Sequence, residues 1–480
     1  MNFKLRNLVA ATLAGSFLMG FGVNAMADST TDIVNALVAK GVLTEEEGAL
    51  LTKGRTDEAA GQAKALKKAG KLTVSDAIDN ATVYGDVRVR YEARNIDQAS
   101  NGVNYETNRS RYKFTLGAET KSGDFYSDIA FAASSNGRSD NVTFGDAGLG
   151  GGDLGMSAKD KGAVYIKRAM VGWNATPWLS IEAGRTKNPL YMVNSMVFDH
   201  DIVMEGVNEK LNYKMGDTNL FANLGQWIYT GGGIQANDTA GTTSRQNMIL
   251  AFQAGAQQAI NDRTSAKAAI GYYDYTAQNK GGTSFRPLIG NNGYPVVGVG
   301  TGTADLLAIQ GVNDLAILDV LGEANFMATS SIGVRPYAEY AYNTNGSDRK
   351  NAAGAAYANL STDDTAWLVG VAIGSAKDLK SFEGKKMAKG DWSANLWYQE
   401  VGTFALDQNA VDTDIFDGRL NMKGTTLKAQ YNVQDNVALN FTSAFGDRKN
   451  SQYGTTYTKA DLGYNGTKFN LYQFDLTYKF

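Results

Sequence analysis

The chain holds a single histidine, His200, set between Asp199 and Asp201, and it has no cysteine. An imidazole flanked by two carboxylates could ligate a metal or work as a general base. Three consecutive residues of an extended segment seldom converge on one ion, so His200 is assigned to stabilising its own loop. No metal and no cofactor are expected. A serine hydrolase would need a serine beside that imidazole. Nothing in the sequence places one there, and the chain is not read as an enzyme. The missing cysteines also remove thiolate catalysis, disulfides and Cys-based metal sites. GDAGLGGGDLG at 145–155 lacks the Lys-Ser/Thr of a phosphate loop and reads as surface loop. Residues 361–364, STDD, read as a plain turn rather than a calcium ligand set.

A different chemistry is written in the spacing of the arginines. Arg88, Arg90 and Arg94 alternate along one short run, and Arg109 and Arg111 along the next. Further on, residues 183–206 read AGRTKNPLYMVNSMVFDHDIVMEG: an apolar stretch that begins near Arg185 and ends with Asp199, Asp201 and Glu205. Bases on one wall of an aqueous passage and acids on the other make a transverse field that sorts permeants by charge and dipole. The expectation is an inward-folded constriction loop, residues 187–205, that sets Asp199, Asp201 and Glu205 against Arg88, Arg90, Arg94, Arg109 and Arg111, with Arg185 beside them. The alternative is a loop packed outside and arginines that are merely solvated.

Such a passage needs walls, and the hydrophobic period supplies them. From Val83 onward, runs of about 10 to 14 residues alternate apolar or aromatic positions with polar ones. In the last run Tyr472, Phe474, Leu476, Tyr478 and Phe480 share one face, and Gln473, Asp475, Thr477 and Lys479 the other. Near the start, Val83, Val87, Val89 and Tyr91 oppose Asp86, Arg88, Arg90 and Glu92. A soluble sandwich would alternate in the same way. Aromatics near strand ends, heavily charged polar faces and a terminal Phe480 favour a closed barrel with its apolar side outward. The pattern predicts an all-β transmembrane barrel of 16 antiparallel strands, with 18 the other option. The runs begin near Val83, Arg109, Phe125, Val164, Leu179, Val207, Leu220, Gln246, Ala266, Leu315, Ile332, Thr365, Trp392, Gly424, Val437 and Phe469. Tight turns at 121–123, 176–177, 215–217, 329–331 and 434–436 alternate with long connections such as 135–160, 277–314 and 343–364. Segment 375–389 is a Lys-rich exception on the short-turn side, and Pro336 inside a run predicts a bulge. The fourth and fifth runs fit poorly, because facing Arg185 inward turns Glu182 outward. A barrel of 16 to 18 strands is wide enough to enclose water, whereas eight strands fill their own interior. With 54 Gly, 24 Tyr and 20 Phe but only 5 Pro, the composition suits many strands and turns.

The first 27 residues read as a secretion signal: Lys4 and Arg6, an apolar stretch, then Ala25-Met26-Ala27. Those are the only charges in the segment, so the remaining chain has 44 basic against 49 acidic residues, net −5. That sign disfavours nucleic acid as a partner. Residues 28–81 read as a periplasmic helical leader, with a capping box at Thr44–Glu47 and a stop at Gly41. Residues 82–480 are left for the barrel.

Several segments are similar to the "putative porin" family of Gram-negative outer-membrane proteins. They are LVAKGVLTEEEGALL (37–51), YGDVRVRYE (84–92), GRTKNP with DHDIVMEG, GDWSANLWYQEVGTFALDQNAVDTDI (390–415) and the ending LYQFDLTYKF. The resemblance implies a cell outer-membrane β-barrel with a short helical N-terminal region. It also implies passive diffusion of small hydrophilic solutes and ions. The partners it implies are outer-membrane lipid and lipopolysaccharide, and analogy to sixteen-stranded general porins adds a homotrimer. The runner-up reading is a substrate-specific channel with a saturable site, in which Tyr337 and Trp397 would form a sliding surface.

Overall fold

The structure is a computed structural model that describes residues 78–98, 104–134, 140–145, 163–230, 247–276, 315–353, 359–375, 388–407, 410–416, 420–453 and 466–480. The expected signal segment, residues 28–77 of the leader and most of segments 145–155 and 375–389 lie outside the described residues.

The strands are β1 (Asn80–Gln98), β2 (Asn104–Ser122), β3 (Phe125–Ser134), β4 (Asn141–Thr143), β5 (Ala163–Thr176), β6 (Leu179–Lys187), β7 (Val203–Met215), β8 (Thr218–Thr230) and β9 (Asn247–Asn261). They continue as β10 (Thr264–Tyr275), β11 (Ala316–Met327), β12 (Gly333–Asn343), β13 (Thr365–Gly374), β14 (Trp392–Val401), β15 (Met422–Gln434), β16 (Val437–Arg448) and β17 (Gly466–Lys479). Each of the sixteen predicted runs is a strand. The seventeenth, β4, pairs with β2 at Arg111–Lys113, just beyond the part of β2 that β3 covers, so it extends β3 rather than adding a stave.

Sequential neighbours pair antiparallel around the ring, and β1 closes it on β17, with Asp86 opposite Lys479 and Ile96 opposite Phe469. Closure leaves no sheet edge. The period of two then decides the rest. On β1, Val83, Val87, Val89 and Tyr91 point outward and exposed, while Arg88, Arg90, Glu92 and Arg94 are buried inside. The tight turns use the backbone they need: Gly123 (φ 56°), Gly216 (φ 61°) and Asn436 (φ 69°) take the left-handed conformation.

Two irregularities differ from expectation. Pro336 makes no bulge: Glu323–Tyr337 and Phe326–Val334 keep one register on either side of it, and the proline faces outward opposite Val371. The bulge lies on β5, where Ala130 pairs with Arg168 but Phe131 pairs with Ile166. Lys167 is the extra residue, and this explains the poor alternation of the fourth run.

Inside the wall, glycines are roofed by aromatic rings. A Cβ on Gly172 of β5 would overlap the ring of Tyr126, whose hydroxyl donates to Glu182 at 2.9 Å. Gly172→Val must displace that ring and its hydrogen bond. We expect destabilisation of about 1–3 kcal/mol, read as a lower temperature for the heat-dependent gel-mobility shift of the folded barrel; an unchanged temperature would contradict the packing.

Candidate lumenal constriction

The connection after β6 turns into the barrel. Its apolar residues Leu190, Tyr191, Val193, Met196, Val197 and Phe198 are all buried in one core. Phe198 meets Trp227 of β8 and Tyr273 of β10 edge-on, with centroids 6.2 and 5.0 Å apart. Gln253 of β9 holds the main chain of Tyr191 from both ends, accepting from its N–H and donating to its carbonyl, each at 2.8 Å. The side-chain amide thereby stands in for a missing strand partner. Tyr337 and Trp397 lie beneath this packing and are nearly fully buried, so they offer no sliding surface to a permeant.

A second inward segment follows β14, and sequence reasoning missed it. Phe404, Ala405, Leu406, Val411, Ile415 and Phe416 are buried. Thr403 donates its N–H and hydroxyl to Asp363 at 2.8 and 2.9 Å, and Lys449 neutralises the same carboxylate at 2.7 Å. Residues 361–364 are thus the clamp of this segment. The signal was present in GTFALDQNAVDTDI, which couples an apolar stretch to spaced aspartates just as the first loop does. The two segments touch where Asp199 N–H donates to Ala410 O at 2.6 Å.

The arginines occupy the opposite wall. Arg90 of β1 forks onto Asp475 of β17 at 2.8 and 2.9 Å and reaches Asp414 of the second segment at 2.6 Å. Glu92 accepts from Arg109 Nη2 at 2.6 Å and Gln473 at 2.9 Å, with Arg94 and Arg111 at 3.4 and 3.9 Å. Arg88 donates to Asn141 at 2.7 Å. Asp201 faces Lys113 at 3.3 Å and the bulge residue Lys167 at 3.9 Å. So the loop acids that meet the basic wall are Asp201, Asp414 and Asp140, the last beside Lys113 and Lys167, and these two lysines join the five arginines. Arg90 is 2% exposed, whereas Arg109 and Asp201 keep 26% and 37% of their side chains open to solvent. Water therefore reaches the space between the basic wall and the loop tips. The side built from β8 to β14 is filled by the apolar residues of the two segments, which also cover the buried charges Asp319, Glu323, Arg335 and Glu339 of β11 and β12, with Arg335 and Glu323 paired at 2.7 Å.

Arg185 and Glu205 are placed elsewhere. They stand opposite each other in the β6–β7 register, on the outward face with Ala169, and pair with each other. Glu182 and Thr186 take the inward positions. His200 accepts or donates at Nδ1 with Ser195 Oγ at 3.1 Å, and Asp199 lies 3.4 Å from the same nitrogen. A serine does stand beside the imidazole, contrary to expectation. Serine and carboxylate crowd one ring nitrogen, and Asp201 is 3.9 Å from the other while facing Lys113; this is not the relay a hydrolase needs. Ligand atoms of Asp199, His200 and Asp201 come within 4.8 Å of one another.

Residues 98–288 match the putative porin family. Of the segments that carry the resemblance, GRTKNP and DHDIVMEG fall within the matched residues. No curated protein matches. Among solved structures, the anion-selective porin from Comamonas acidovorans is similar at 10% identity, over 84% of this chain and 99% of that one, with a TM-score of 0.42. The outer membrane channel DcaP of Acinetobacter baumannii is 15% identical over 85% and 99%, TM-score 0.38. OprB of Pseudomonas putida, in a high-pH structure, is 11% identical over 83% and 94%, TM-score 0.45.

Charge balance at the loop tips sets two expectations. Burial, and then the charge of Asp412, pushes the Asp199 carboxyl well above the usual carboxylate range. Burial pushes Asp412 up as well, against the pull of Lys428. Asp414 goes the other way: against the cost of burial, Arg90, Arg88 and Arg111 hold it far down. A raised folded-state value means that the contact between the segments is strongest in acid. It weakens as pH climbs from the ordinary carboxylate range through the raised values. Asp412→Asn should therefore quiet the loop-dependent current noise near neutral pH and flatten its pH dependence; noise that still rises with pH would remove the argument. Arg90→Ala strands two carboxylates and should destabilise the barrel by about 3–5 kcal/mol, measured by denaturant unfolding in detergent, with Arg90→Lys restoring only part because it lacks the fork.

Proposed function

We propose that this chain is a passive channel of the cell outer membrane for small hydrophilic solutes and ions. One observation carries the reading: sixteen staves close on themselves with Val, Leu, Phe and Tyr outward and a ladder of Arg, Lys, Glu and Asp inward. Among β-architectures only a closed barrel satisfies every backbone group in hydrocarbon, and only a wide one leaves room for water beside two inward loops. The family match over residues 98–288 supports a channel in preference to an enzyme. Its surroundings are then outer-membrane lipid and lipopolysaccharide, with the N-terminal residues on the periplasmic side.

The basic wall and the acids at the loop tips form the filter in this reading. Planar-bilayer recording of the purified protein tests it. Conductance in simple salts is expected, and Arg109→Ala with Arg111→Ala should shift permeability toward cations. A chain that stays in solution without detergent, or adds no conductance, would overturn the reading. Saturable block by one solute class would instead favour the substrate-specific channel.

A further inference from the structure

The outward face of β6, β7 and β8 carries polar groups that a wall against hydrocarbon excludes. Arg185 of β6 pairs with Glu205 of β7, and its Nε donates to the carbonyl of Lys167 at 3.0 Å. Lower on the same face, Gln226 of β8 donates to Glu209 of β7 at 3.1 Å. The register fixes their side: Glu209 stands between Ile181 and Leu224, while its neighbour Asn208 is buried inside against Trp227. Val207 and Leu211 flank Glu209 along its strand on the same outward face, so this carboxylate sits within the apolar band and not at its rim. In the other described strands the outward charges stay near strand ends, as Asp274, Glu400, Lys423, Asp447 and Lys468 do.

A carboxylate at that level is unfavourable against lipid. Gln226 offers it one neutral hydrogen bond, and no cation of its own chain is opposite it in either ladder. The face is also shallow, because Ala183 and Ala222 stand beside the polar groups, and small side chains let two backbones approach closely. It carries both signs: a cation in Arg185, which is 35% exposed, and carboxylates in Glu205 and Glu209. A surface with both charges inside an apolar frame is complementary to a second copy of itself.

We propose that the β6–β8 face is the contact between copies of this chain, with Arg185 of one copy reaching Glu209 of the next. This rests on the reading of the barrel as a membrane channel. Once the polar pairs are shut away from hydrocarbon by a like surface, the charges neutralise each other across the seam, and the apolar remainder of the wall faces lipid alone.

The absence of cysteine makes the test direct. Ala183→Cys and Ala222→Cys, made singly, should give cross-linked dimers with a short bifunctional thiol reagent in isolated membranes. Ala394→Cys, outward on β14, should give at least tenfold less. Glu209→Arg should abolish both the cross-link and the oligomer mass in mild detergent, and adding Arg185→Glu should restore them. The heat-dependent mobility shift reports whether each variant folds. Monomers throughout, or equal cross-linking at Ala394→Cys, would overturn the proposal while leaving an inserted conducting barrel, which is the result if lipid or lipopolysaccharide alone covers the face. Failure of the channel reading looks different: the wild-type chain would be extracted without detergent and conduct nothing.

Discussion

The ladder between β1 and β17 is the constraint on which the rest of the molecule depends. Thirteen register pairs join the first strand to the last, from Asp86–Lys479 to Gln98–Gly466. They consume the two edges that an open sheet of this size would expose. They also bring Arg90 to Asp475 and Glu92 to Gln473, so the charged wall of the lumen is assembled by the act of closure. Neither of these two pairs forms until the ring is complete, although Glu92 also meets Arg109 of the neighbouring β2.

Within the ring the interior is divided. On the β8–β14 side, Trp227, Tyr273, Leu368 and Trp397 point into the lumen and would be unfavourable against water. The two inward segments cover them and, with Phe198 and Leu406, create an apolar core inside the barrel. On the β1–β5 side Arg88, Arg90, Arg94, Arg111, Lys113 and Arg168 gather among the inward positions, and an apolar loop laid over so many cations would strand charge. The passage is thereby pushed against the basic wall, and the segment tips meet that wall through Asp201 and Asp414.

The staves were legible in the sequence because most run long enough for a period of two to stand out, and because outward positions away from the strand ends are mostly apolar or aromatic. The first inward loop was legible too, since an apolar stretch ending in Asp199 and Asp201 has no place on a polar surface. What failed was local. Strict alternation along β6 sends Arg185 outward because Glu182, three residues before it, faces inward to Tyr126, and only the charge of Arg185 argued for the lumen. The segment after β14 looked like one more loop, because Asp407, Asp412 and Asp414 make it polar on average while its apolar residues turn to the core. Pro336 suggested a bulge, but an outward position on a tilted stave absorbs a missing donor without a change of register.

The grip of Gln253 on Tyr191 has an evolutionary corollary. The amide binds the main-chain N–H and carbonyl at that position and ignores the side chain. Any amino acid except proline satisfies such a grip equally. The anchor can therefore persist through generations while the acidic tip a few residues beyond it is rewritten, so that descendants of one ancestral barrel can diverge in what they admit without relearning how to fold.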